Sequence, residues 1–108
     1  MLALQVLYAG MAVALPSSMK ALVATHTGPV STLKVVTNRA VPSLPDPASD
    51  EAPAVIVKVQ CAALYPIDWR MCELGVFIDT WPHAFGCDMS GTVVAASDGV
   101  DFEIGEKV

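Results

Sequence analysis

Residues 65–70 read Tyr-Pro-Ile-Asp-Trp-Arg, and this stretch contains the clearest structural signal in the chain. Pro66 suits the first position of a helix, where its missing N–H is not needed. Asp68 would then lie in the first turn, where a negative charge favours the helix dipole. The pattern therefore predicts a helix from Pro66 to about Leu74, with Gly75 as its C-terminal stop.

A second informative stretch, residues 85–94, reads Phe-Gly-Cys-Asp-Met-Ser-Gly-Thr-Val-Val. Its glycines, Gly86 and Gly91, bound an acidic segment that we expect to be a loop leading into a strand from Thr92 to Ala96. Ser-Asp-Gly at residues 97–99 then predicts a turn, because Gly99 tolerates positive φ.

The remaining regular segments predict short strands. Residues 19–25 and 33–37 are short, with apolar or β-branched content. Four prolines between residues 41 and 53 exclude a central strand or a helix interior there, so this segment is expected to be a surface loop. Residues 54–64 form the longest strand candidate, with alternating sides: Val55, Val57, Val59 and Cys61 on one side, Lys58 and Gln60 on the other. The chain is therefore predicted to be mainly β, with one or two short helices and a partly open barrel.

Composition limits the class of protein. The 108 residues fit one domain, and 54% of them are hydrophobic, which favours a packed core over disorder. The net charge is −5 and no cluster of lysines and arginines is present, so nucleic-acid binding is not expected. The three cysteines are too few and odd in number for a disulfide framework, which favours a reducing compartment.

The first 18 residues differ from the rest, because residues 1–15 carry no charged side chain. Three interpretations remain open: an extension upstream of an ordinary start at Met19, a targeting segment with a cleavage site after its Ala-rich run, or a membrane anchor. The anchor is the least favoured, because the apolar run is short and interrupted by Gly10. The domain prediction is an extension or targeting segment at 1–18 and a globular domain at 19–108.

From Met19 to Val108 the chain resembles the N-terminal half of the medium-chain dehydrogenase/reductases. The resemblance depends on residues 66–69, on Gly-Cys-Asp-Met-Ser-Gly at 86–91, and on the closing residues 104–108, in that order and spacing. It implies a GroES-like barrel, and it is strongest to the zinc-free quinone reductases and the fungal trans-enoyl reductases. In this family a Rossmann domain follows the barrel and binds the nicotinamide cofactor. No G-x-G-x-x-G motif is present here, so we expect a fragment or a truncated product that is inactive alone.

The same resemblance gives the metal prediction. The zinc-dependent relatives carry a Cys where this chain has Tyr65 and a His where it has Cys87. A catalytic zinc takes about three protein ligands, so no zinc is expected. Cys87 with Asp88 and His83 remains an alternative soft-metal site, whereas a small thiol that fills the loop is the favoured role for Cys87.

Tyr65 and Asp68 are the candidate catalytic residues. The phenol of Tyr65 would donate a hydrogen bond to a carbonyl oxygen that gains negative charge as hydride arrives. The quinone reductases usually carry Asn there, so a Tyr packed under the loop is the alternative. For Asp68 the alternative is a first-turn helix charge.

The resemblance also implies a substrate pocket and a cofactor contact. Trp69, Cys87 and Asp88 are assigned to the substrate pocket, while Pro66 and Ile67 are assigned to the cofactor side. Asp88 has the alternative of accepting loop N–H groups. Trp69, Trp81 and Phe85 have the alternative of being ordinary core or interface aromatics.

The expected function is that of the N-terminal part of an NADPH-dependent, zinc-independent reductase of activated double bonds or quinones. We expect a small-molecule substrate, a cytoplasmic location and a homo-oligomeric parent; secretion or targeting follows instead if residues 1–18 are a cleaved signal. The alternatives are a zinc-type alcohol dehydrogenase and a non-catalytic GroES-like module. The isolated chain is also expected to aggregate, because the missing neighbour would leave apolar strand surface exposed.

Overall fold

A computed structural model describes residues 15–108. These residues divide into two compact units. The first contains residues 15–17, Val41–Cys61 and Ser90–Val108, and the second contains Ser18–Ala40 and Ala62–Met89. The predicted extension or targeting segment lies almost wholly outside the described residues. Within residues 15–108 no helix is long and apolar enough to cross a membrane.

The second unit contains a three-stranded sheet and the α-helix. Strand β1 (Ser18–Ala24) is central; it pairs antiparallel with β2 (Lys34–Ala40) on one side and with the short β4 (His83–Ala84) on the other. A 3₁₀ turn at Val30–Thr32 lies between β1 and β2, and helix α1 spans Pro66–Leu74. The buried side chains of this unit are Val23, Ala24, Asp68, Met71 and Cys72.

The first unit contains most of a two-stranded sheet formed by β3 (Val55–Ala63) and β5 (Asp88–Ala96). The closing residues extend the pairing of β5: Gly91 and Val108 exchange both backbone hydrogen bonds, and Val93 N–H donates to the Glu106 carbonyl. Leu44, Ile56 and Ala95 form the buried core cluster.

The two strands of this sheet pass very close to each other at Gly91. A Cβ on Gly91 would lie 2.7 Å from Val57 Cγ1 and would overlap the carbonyl oxygen of Lys58. Glycine is therefore required here for close backbone approach, not for a turn.

The structure confirms the mainly β class, and several of the predicted elements agree with it. Helix α1 has the predicted bounds and ends at Gly75 in the left-handed conformation (φ 69°), and Gly99 also has positive φ. The proline-rich segment before β3 has no regular structure. The prediction for residues 86–91 is wrong in part, since β5 already begins at Asp88. Pairing with β3 outweighs the low strand preference of Asp and Gly there.

Burial along β3 also differs from its alternating pattern. The buried residue is Ile56, while Val59 and Cys61 on the apolar side of the pattern are exposed. The two-residue alternation of a strand identifies which side chains lie on the same face, but packing against the rest of the chain decides which face is buried.

Candidate functional site

The side chain of Asp68 is the centre of the candidate site. Its Oδ2 accepts a hydrogen bond from the Tyr65 backbone N–H at 2.8 Å, and its Oδ1 accepts one from the Gly86 N–H at 2.9 Å. The Cys87 thiol donates to the same Oδ1, with 3.4 Å between sulfur and oxygen. Asp68 is only 2% exposed. We call these four residues, Tyr65, Asp68, Gly86 and Cys87, the Asp68 cluster.

Two local features of the sequence bring this cluster together. Tyr65 is the N-cap of α1, and Asp68 at the third helical position reaches back to its N–H, as in the second half of a capping box. On the other side, Gly86 has φ 104°, a conformation that other residues rarely adopt, and this directs its N–H towards the carboxylate. Helix capping and a glycine turn therefore meet at one carboxylate.

Hydrogen bonding controls the protonation of Asp68. Burial raises its pKa, but the N–H groups of Tyr65 and Gly86 and the Cys87 thiol stabilise the charged form, so the net pKa lies below the ordinary value. Burial raises the pKa of the Cys87 thiol, and the hydrogen bond to Asp68 and the charges of Asp68 and Asp88 raise it further. At neutral pH the pair is therefore a carboxylate and a neutral thiol.

Tyr65 presents its side chain outward. The residue is 59% exposed, and within residues 15–108 its hydroxyl makes no hydrogen bond to protein. The alternative of a Tyr packed under the loop is therefore wrong. Trp69, one turn further along α1, is 42% exposed, with the Arg70 guanidinium 5.2 Å from its ring centroid, so Trp69 is not a core aromatic.

The C-terminal half of α1 is held by a different set of contacts. Cys72 is fully buried; its thiol donates to the Gly28 carbonyl at 3.3 Å, and its own carbonyl accepts the Gly28 N–H at 2.9 Å. These bonds attach the helix to the turn after β1. Helix α1 is thus fixed near both ends, and the exposed side chains of Tyr65 and Trp69 project from an anchored element.

The structure unites some of the predicted site residues and not others. Tyr65, Asp68 and Cys87 meet in one cluster, but Asp88 is exposed and its side chain makes no hydrogen bond among the described residues. Cys87 is exposed as a residue, but its sulfur lies against the buried Asp68 carboxylate and 4.0 Å from the Met71 sulfur, so the thiol does pack between the loop and α1. The buried state of Asp68 was not predicted. In the sequence, only the position of this aspartate in the first turn of the helix indicated that it would be held by hydrogen bonds. Its second backbone partner, Gly86, lies 18 residues away and could not be identified from local sequence.

The alternative soft-metal site has no structural support in the part of the chain that is described. His83 stands between Trp81 and Phe85, with ring centroids 6.5 Å and 5.0 Å away. Among residues 15–108, no group of three or more His, Cys, Asp or Glu side chains is arranged to hold a metal ion.

Comparison with known proteins identifies the family of the chain. Residues 51–108 match the family described as alcohol dehydrogenase GroES-like domain. A trans-enoyl reductase of Aspergillus terreus, pgmF, is 39% identical over 79% of this chain and 25% of its own length. The dehydrogenase orsE of Emericella nidulans is 40% identical, and the trans-enoyl reductase himH of Aspergillus japonicus 34%, each over 50% of this chain. Both of these matches cover 16% of the relative, so the chain spans a quarter or less of these relatives.

Proposed function

Because the chain belongs to the alcohol dehydrogenase GroES-like domain family of the medium-chain dehydrogenase/reductases, we propose that it forms the substrate-side part of a reductase. The reaction is delivery of hydride from NADPH to an activated double bond, with a quinone as the alternative acceptor. The observation that carries this proposal is the similarity over 79% of the chain to a protein named a trans-enoyl reductase.

Tyr65 has the geometry for one step of this reaction. Hydride addition to an activated double bond moves negative charge onto the carbonyl oxygen, and a donor aimed at that oxygen lowers the barrier. The Tyr65 phenol is exposed, has no protein partner within residues 15–108 and begins an anchored helix. We therefore assign it as the hydrogen-bond donor to that oxygen, with Trp69 as the neighbouring apolar wall.

The donor set at the site supports a reaction without zinc. The cluster offers one carboxylate and one thiol, and both are already joined in a hydrogen bond to each other. A catalytic zinc requires about three protein ligands and one open position. A phenol at Tyr65 is not a usual zinc ligand, so we assign the electrophilic role to the phenol.

This chain provides only part of the NADPH-binding site. None of the seven glycines forms a G-x-G-x-x-G motif, so the chain offers no recognisable cradle for the pyrophosphate. When bound, the cofactor supplies the hydride. The contribution of this chain is limited to a wall on the nicotinamide side, which we assign to Pro66 and Ile67 at the start of α1, and the dinucleotide would be held by a separate domain.

The test is steady-state reduction of a short-chain α,β-unsaturated thioester by the protein in which this chain is joined to its dinucleotide-binding domain, and the reaction is monitored as loss of NADPH absorbance. Removing one donor to a developing oxyanion lowers kcat by roughly 100-fold, so Tyr65→Phe should lower kcat by about this factor and change KM little. The same assay with a benzoquinone identifies the acceptor class. Absence of NADPH-dependent reduction with either acceptor would refute the proposal.

A zinc-type alcohol dehydrogenase is the second candidate. It is suggested by the description of the matching family, alcohol dehydrogenase GroES-like domain, over residues 51–108. Such an enzyme would oxidise an alcohol with a metal ion at the site, and its activity would disappear after treatment with a strong chelator.

A further inference from the structure

Asp68 is poorly placed for proton transfer, because its carboxylate is buried and both oxygens already accept hydrogen bonds. Both oxygens accept backbone N–H groups, from Tyr65 and Gly86, and one also accepts the Cys87 thiol. The side chain is 2% exposed. A substrate could not reach these oxygens without breaking the cluster.

The same hydrogen bonds fix the backbone position from which the Tyr65 side chain extends. With no hydrogen bond on the hydroxyl within residues 15–108, the position of the ring depends strongly on the backbone of residue 65. That backbone is the N-cap of α1, and the Asp68 carboxylate connects it to the Gly86 turn. Small displacements of a reacting group lower rates strongly, because catalysis depends on near-attack geometry.

We propose that Asp68 is a positioning residue that fixes the Tyr65 backbone to the Gly86–Cys87 turn and so sets the direction of the phenol. This assignment deepens the proposed function and rests on it for the role of Tyr65. Asp68 itself does not touch the substrate.

Asparagine at position 68 is the informative substitution. Its amide has nearly the shape of the carboxylate but only one acceptor oxygen, and its NH₂ group would face an N–H donor on one side of the cluster. Asp68→Asn therefore keeps the volume and breaks one of the two backbone anchors. Glu73→Gln is the matched control, since Glu73 is an exposed acid on the same helix without a side-chain hydrogen bond among the described residues.

The three cysteines provide a readout that needs no substrate. Iodoacetamide labelling, followed for each cysteine by peptide mass spectrometry, reports the exposed Cys87 and Cys61 and the buried Cys72 in one experiment. In Asp68→Asn the Cys87 thiol loses a neighbouring negative charge and faces a neutral amide in place of the carboxylate, so its labelling should accelerate several-fold. The rate at Cys61 should not change, and continued protection of Cys72 shows that the unit is still folded.

A parallel variant separates charge from hydrogen bonding. Asp88→Asn removes a nearby exposed charge and leaves the cluster intact, so its effect on Cys87 labelling should be smaller than that of Asp68→Asn. Equal effects of the two variants, or an unchanged Cys87 rate in Asp68→Asn while Cys72 stays protected, would overturn the assignment.

Steady-state kinetics of the variants are the second test. Asp68→Asn should lower kcat at least tenfold with little change in KM, as expected when a positioned group is displaced, whereas Glu73→Gln should match the unmodified protein. In a Tyr65→Phe background the same Asp68 substitution should have almost no further effect on kcat, because the group that it positions is gone. Additive losses in the double variant would refute a role through Tyr65. Because labelling is read without substrate, inactivity of the protein that contains both this chain and its dinucleotide-binding domain would refute the proposed function and not the anchoring by Asp68.

Discussion

Substitution of Gly91 by alanine tests the closest approach of β3 and β5. The added methyl would lie 2.7 Å from Val57 Cγ1, about 1 Å inside the usual contact of ~3.5–4.0 Å between carbons. It would also overlap the carbonyl oxygen of Lys58, which belongs to the backbone of a paired strand and cannot turn away. Overpacking costs about 1–3 kcal/mol where side chains can adjust. With a backbone obstacle we expect Gly91→Ala to lower the free energy of unfolding by at least about 3 kcal/mol.

Gly99→Ala provides the control in the same unit. Gly99 has φ 82° and no atom within 4 Å of its Cβ position, so alanine there meets backbone strain alone, which costs about 1–2 kcal/mol. Urea unfolding followed by far-ultraviolet circular dichroism, with linear extrapolation, gives both values. If the loss at Gly91 does not exceed the loss at Gly99, then the two strands do not approach as closely as described.

The remaining predictions concern the anchors of α1. Because the folded pKa of Asp68 is lowered, its stabilisation should be complete above its ordinary pKa near ~4 and be lost as pH falls through the folded value. The difference in unfolding free energy between the unmodified protein and Asp68→Asn should therefore shrink on acidification, as acid titrations of urea midpoints would show; a constant difference would contradict it. Cys72→Ala removes a fully buried sulfur and its bond to Gly28, and should cost about 1–2 kcal/mol. The same change at the exposed Cys61 should cost almost nothing in the same urea titration, and equal losses would contradict the anchoring by Cys72.

Local signals in the sequence predicted helix α1 most accurately. Pro66 and Gly75 act through backbone conformation at their own positions, so the bounds of the helix could be read from neighbouring residues. The Gly99 turn was predictable for the same reason.

The features that escaped prediction depend on residues distant in sequence. Strand β5 begins at Asp88 because β3 pairs with it, although the local sequence favours a loop. The burial of Asp68 requires Gly86, whose N–H reaches the carboxylate only after the chain has returned to the helix. Sequence identified Tyr65, Asp68 and Cys87 as candidates individually, and the fold showed which of them touch.

The metal content of the active protein tests the central claim most directly. The account assigns the electrophilic role to the Tyr65 phenol, so the purified protein, with this chain joined to its dinucleotide-binding domain, should reduce the unsaturated thioester while containing only traces of zinc, and its rate should be unchanged by a strong chelator. Stoichiometric zinc in the active protein, together with loss of activity on chelation and recovery on adding zinc back, would contradict the account.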